Sequence, residues 1–170
     1  MKTIVSFLVC VIASQTSYAQ DFKTEFRKVF SASIKGFESN KGIAVGGGWS
    51  TEEKLAGYTD VMIKTDEDLG VLYVQFSIIC ANADDAKVLL ASKELEVVDA
   101  LPAGQYNQTK TYDADYLTSM KTIFEFNTPK MADLQKRPSI EMGAVDVYGT
   151  VMVVLNLYEP YFKNQYTPGF

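Results

Sequence analysis

Three acidic clusters are the residues whose type and spacing could support chemistry. Asp66, Glu67 and Asp68 are consecutive, Asp84 and Asp85 are adjacent, and Asp113 and Asp115 flank Ala114. Two carboxylates roughly 5–10 Å apart across a cleft can hydrolyse a glycosidic bond, one as acid and one as base or nucleophile. The clusters therefore carry an alternative reading of the chain, as a carboxylate-based hydrolase acting on glycan or cell-wall material. Each cluster also has a structural reading. Residues 66–68 suit a solvated turn. Asp84 and Asp85 suit a helix start, where negative charge meets the positive end of the helix. Asp66 and Asp68 before Gly70 superficially resemble a calcium loop, but the further oxygen ligands and the closing Glu of that motif are not aligned.

The composition excludes much else. The chain contains no histidine. That removes Ser–His and Cys–His nucleophile pairs and the usual Cys/His zinc cages. Cys10 lies inside an N-terminal apolar run, and Cys80 follows "YVQFSII", where it reads as a small buried residue with no basic neighbour to activate it. "GIAVGGGWS" at 42–50 fails as a phosphate loop, because Gly48 is followed by Trp49 and Ser50 rather than by Lys and Ser/Thr. Its consecutive glycines also lack the spacing of a dinucleotide fingerprint. It reads as a flexible connection, with Trp49 pinning it to the core or standing on a lip beside a pocket. The net charge is −5, without a basic run, which argues against nucleic acid as a partner. No catalytic residue, metal or cofactor is expected.

The elements that must position these residues follow from periodicity. Met1–Lys2, the apolar "TIVSFLVCVIAS" and the small-residue "SYA" predict a signal peptide over 1–19, too short for a membrane span. The product is expected to be exported, periplasmic or secreted, with no membrane span after cleavage and a single α+β domain over 20–170. Phe22, Phe26, Val29, Phe30, Ile34 and Phe37 form one apolar stripe, predicting a helix over 22–36. "YTDVMIK" (58–64) and "VLYVQFSII" (71–79) predict a hairpin. In the second of these strands Leu72, Val74, Phe76 and Ile78 share one face, and Val71, Tyr73, Gln75 and Ser77 share the other. Asn82 predicts the cap of a helix over 83–98, although "ELEVV" also permits a strand from Glu94. A strand over 120–126, a short helical "KMADLQKR" and a closing hairpin of 140–147 with 151–158 complete the pattern.

The leader ending "SYAQ", the amphipathic "FRKVFSASIKGF", the central hairpin, "ADDAKVLLASKEL" and the closing hairpin together resemble small exported proteins of unknown function from Bacteroidota-type bacteria. The resemblance is one of layout. It implies an exported α+β domain and assigns no functional residue.

The expected fold is thus α+β, an antiparallel sheet of about four to six strands with two or three helices on one face. The expected function is that of an exported, non-enzymatic binding or interaction protein. Trp49, Tyr58, Tyr73 and Gln75 are the candidate ligand-binding residues, and the aromatic tail of Tyr158, Tyr161, Phe162, Tyr166 and Phe170 is a second candidate surface. A protein, peptide or glycan partner is expected, and a homodimer is allowed.

Overall fold

The computed structural model of the chain describes residues 21–127 and 137–160. The expected signal peptide, the segment "KMADLQKR" up to Lys136 and the tail from Tyr161 lie outside them. The first helix, α1, occupies 21–35 and is followed by a 3-10 turn at Glu38–Asn40. Two short strands come next, β1 (Ala44–Val45) and β2 (Gly48–Trp49). The hairpin strands β3 (Asp60–Asp66) and β4 (Val71–Ile79) lead into helix α2 (Ala83–Ala100). The strands β5 (Tyr106–Tyr112), β6 (Met120–Phe126), β7 (Ile140–Val147) and β8 (Thr150–Tyr158) follow.

All eight strands form one antiparallel sheet in the order β1-β2-β3-β4-β8-β7-β6-β5. This corrects the expected sheet of about four to six strands; the described residues hold eight strands in one sheet, with two α-helices. Two kinds of strand account for the difference. β1 and β2 are too short to show alternation. β5, "YNQTKTY", is a polar edge strand with no buried residue, so it carries no apolar period to detect.

The local chemistry of the ends is clear. Asn82 caps α2 by accepting from the Asp84 and Asp85 amides. The helix runs through "ELEVV" to Ala100, so no strand begins at Glu94. The β3–β4 turn is held by Asp66, whose Oδ1 accepts from the amides of Asp68 and Leu69. β7 and β8 are joined through Tyr148 and Gly149, both with positive φ (53° and 84°), the requirement of a two-residue hairpin loop that follows the strand twist.

One face of the sheet carries the core. Ile63, Val74, Phe76, Phe124, Ile140, Met142, Ala144, Val153, Leu155 and Leu157 are buried there, and the register places them side by side. α1 buries Phe22, Phe26 and Val29 against this layer, and α2 buries Ala86, Leu90, Val97 and Ala100. Each buried Phe or Leu contributes about 1.5–3 kcal/mol relative to exposure. α1 is tied to α2 by Lys23 Nζ and Asp99 Oδ2 at 2.9 Å and to β5 by the edge-on Phe30–Tyr106 ring contact. No helix among the described residues is long and apolar enough to cross a membrane.

Candidate functional site

The opposite face of the sheet carries no described helix, and its residues differ in kind. Alternation sends Tyr73, Gln75 and Ser77 of β4 there, with Asn156 and Tyr158 of β8, Glu141 and Gly143 of β7, and Lys121 of β6. Register sets Tyr73 directly opposite Tyr158, and their rings stack with centroids 4.9 Å apart at 28°. Gln75 lies opposite both Met62 and Asn156. Its amide accepts from Lys64 Nζ at 2.7 Å and donates to Asn156 Oδ1 at 3.0 Å, making a polar ladder across three strands.

A charged trio adjoins the stacked rings. Lys121 Nζ lies 3.2 Å from Glu141 Oε2 and 3.3 Å from Asp113 Oδ2. The Tyr158 hydroxyl donates toward the same Glu141 oxygen at 3.4 Å. Burial alone would lower the Lys121 pKa, but Glu141 and Asp113 outweigh it and hold the ammonium above its usual range. Asp113 comes from the β5–β6 connection, which folds over this face and pairs Tyr116 with Val145. The Tyr116 ring rests on Gly143 so closely that a Cβ at that position would overlap it. Gly143 is thus the sequence feature that lets an aromatic ring lie flat on the sheet.

Burial first, and nearby carboxylates second, favour the neutral form of the three tyrosines. Burial, then the neighbouring carboxylates, raises the pKa of Tyr73 and of Tyr158. Tyr116 is raised for the same reasons, burial first and Glu141 next. The face therefore presents aromatic rings, neutral hydroxyls, amide groups and two ammonium groups, Lys64 on Gln75 and Lys121 on Glu141 and Asp113. Such a set can stack on a sugar or peptide and hydrogen-bond to it. It contains no activated nucleophile. Among the described residues no three His, Cys, Asp or Glu side chains are grouped to hold a metal.

The four candidate residues read from the sequence divide between the two faces. Tyr73 and Gln75 lie together on the polar–aromatic face. Tyr58 lies on the other, its ring edge-on to Phe76 at 5.8 Å and its face toward Lys93 Nζ at 5.5 Å, within the helix layer. Trp49 lies opposite Ile63 and so points to the helix-covered side, with Lys41 Nζ 4.0 Å over its ring. The glycine run makes the β1–β2 hairpin. Gly47 has φ +85°, and Gly48 runs so close to the Ile63 carbonyl that a Cβ would collide with it.

The acidic clusters also separate. Asp66 is bound within its turn, Asp84 pairs with Lys87 at 3.0 Å, and Asp113 joins the Lys121 trio. Sequence reasoning missed Glu141, Lys121 and Tyr116. Glu141 and Lys121 are the outward residues of alternating strands, a signal that was present. Tyr116 sits in a connection with no period, and its neighbour Gly143 lies distant in sequence.

Comparison with known proteins gives no match to any family model, to any curated protein or to any solved structure.

Proposed function

We propose that the chain is an exported, non-enzymatic binding or interaction protein, and that its ligand surface is the polar–aromatic face of the sheet. The observation that carries this reading is the grouping of half-buried Tyr73 and Tyr116 with the Lys64–Gln75–Asn156 ladder and the Lys121 ammonium on a face that no described helix covers. Rings flanked by amides and ammonium groups suit a glycan or peptide better than an apolar ligand. A second copy of the chain is a further partner, at a surface separate from this face. The hydrolase alternative loses support here. Asp66 is held in its turn, Asp84 and Asp85 bond to Lys87 and Asn82, and both Asp113 and Glu141 are paired to the Lys121 ammonium.

Fluorine NMR of 3-fluorotyrosine-labelled protein tests the proposal. The probes are soluble muropeptides, which carry both sugar and peptide, and a set of unstructured oligopeptides. At least one probe is expected to shift the resonances of Tyr73 and Tyr116, with binding about tenfold weaker in Tyr73→Ala. Silence of these resonances toward every probe, or binding indifferent to Tyr73→Ala, contradicts it.

A further inference from the structure

The two edges of the sheet are not alike. One ends in the two-residue strands β1 and β2. The other ends in β5, seven residues long, with every residue from Asn107 to Tyr112 exposed and no described strand on its outer side. Natural proteins guard such edges with charge, proline or bulges. β5 has no proline, and its one charged residue, Lys110, lies 3.6 Å from Glu94 rather than standing free.

The direction of the free backbone groups can be read from the ladder. Tyr106 lies opposite Phe126, and Tyr112 opposite Met120. Beyond these ends, the Asn127 amide donates to the Gln105 carbonyl and the Asp113 amide to the Ser119 carbonyl. Odd-numbered residues of β5 therefore bond inward to β6. The N–H and C=O groups of Tyr106, Gln108, Lys110 and Tyr112 point out from the sheet edge.

The strand reads Tyr-Asn-Gln-Thr-Lys-Thr-Tyr, with polar residues flanking Thr109 and a tyrosine at each end. An antiparallel match to itself centred there sets Tyr106 opposite Tyr112 and Gln108 opposite Lys110, the residues with outward backbone groups. Parity allows this register along with other self-matches centred on a residue, and among them it is the one that pairs the two tyrosine ends. Thr109 meets its own copy in the non-hydrogen-bonded position, where Thr–Thr pairs are favourable. The two Lys110 side chains become diagonal neighbours, each with its own Glu94 beside it.

A groove supplies the second half of the fit. It has a volume of about 760 Å³ and runs between the helices and β5, lined among others by Leu95, Val98, Leu101, Tyr106 and Gln108. Leu95 and Val98 are 71% and 48% exposed, and Tyr112 is 71% exposed. Tyr112 shares the helix-side face of β5 with Tyr106. In the self-matched register, Tyr112 of the second copy arrives beside Tyr106, at this groove.

We infer that two copies of the chain join antiparallel through the outer edges of β5 about Thr109, each Tyr112 seated at the other copy's Leu95–Val98 groove. The contact is isologous and continues the sheet across both subunits. It rests on the proposal that a second copy is a partner, and gives that partner its place.

Sedimentation equilibrium of the chain without residues 1–19 is expected to give a dimer. Gln108→Pro removes an outward amide at an edge position that accepts proline, and Tyr112→Ala removes the exposed ring. Each is expected to weaken the dimer at least about tenfold with unchanged circular dichroism. In a Cys80→Ala background, Thr109→Cys is expected to cross-link into a covalent dimer on mild oxidation, and Asn107→Cys to remain uncrosslinked. A dimer in which Thr109→Cys cross-links no better than Asn107→Cys overturns the β5 register but leaves self-association standing. A strictly monomeric chain overturns both.

Discussion

The two faces of the sheet are made by the same strands, one residue out of phase. On the helix-covered face, Phe76, Phe124, Ile140, Met142, Leu155 and Leu157 are sealed from solvent. On the opposite face, their immediate neighbours are Gln75, Ser77, Glu141, Asn156 and Tyr158. The first set can only pack. The second can pack and also hydrogen-bond, stack and carry charge. A period of two lets one strand fill the core with alternate residues and carry polar and aromatic groups with the others, of which Ser77, Asn156 and Tyr158 are also buried.

The sharpest way to break this contrast is to remove a ring from the covered face. Phe124→Ala is expected to cost about 3–5 kcal/mol in urea unfolding followed by circular dichroism. A loss no larger than that of Tyr73→Ala would mean that the faces share the load equally.

Alkaline pH probes the other face. The folded pKa values of Tyr73, Tyr116 and Tyr158 lie above the unfolded value of about 10. Their contribution to stability is therefore fully present below about pH 10 and is lost as pH rises through the higher folded values. Tyr106, raised chiefly by burial, adds to the same trend from the covered side. Unfolding free energy is expected to fall above about pH 10, and to fall less steeply in Tyr158→Phe. An equal slope in that variant would remove Tyr158 from the explanation.

Gly143→Ala is expected to displace the Tyr116 ring and cost about 1–3 kcal/mol, seen as an altered near-ultraviolet tyrosine signal with unchanged secondary structure. The smallest effect is expected from Lys64→Ala. Its bond to Gln75 lies at a half-exposed position, and its loss should change stability by less than about 1 kcal/mol. A large loss there would indicate that the amide ladder is structural.

Much of this architecture is legible in the sequence, in a way that follows burial. The Phe stripe predicts α1 because those rings face a core, and Asn82 marks the start of α2 because a cap has a fixed chemistry. The closing hairpin is legible from its apolar run and from Gly149. β5 is not, because an exposed edge strand has no inside to impose a period. The end of α2 is obscured for a related reason. Lys93 and Glu94 are buried, Lys93 ion-paired to Glu96 and Glu94 accepting from Thr122, so charged residues stand where apolar ones are expected. Of the candidate site, Tyr73 and Gln75 share a face as strand alternation predicts. Trp49 and Tyr58 do not join them: a two-residue strand places Trp49 opposite Ile63, and a turn after Leu55 sets Tyr58 against Phe76.

The central claim is that recognition belongs to the polar–aromatic face. Backbone-amide NMR mapping with the muropeptide or oligopeptide that shifts the tyrosine resonances tests it most directly. The account predicts perturbations grouped at Lys64, Tyr73, Gln75, Lys121, Glu141 and Asn156, with α1 and α2 unmoved. Perturbations confined to the helices and their grooves would contradict it.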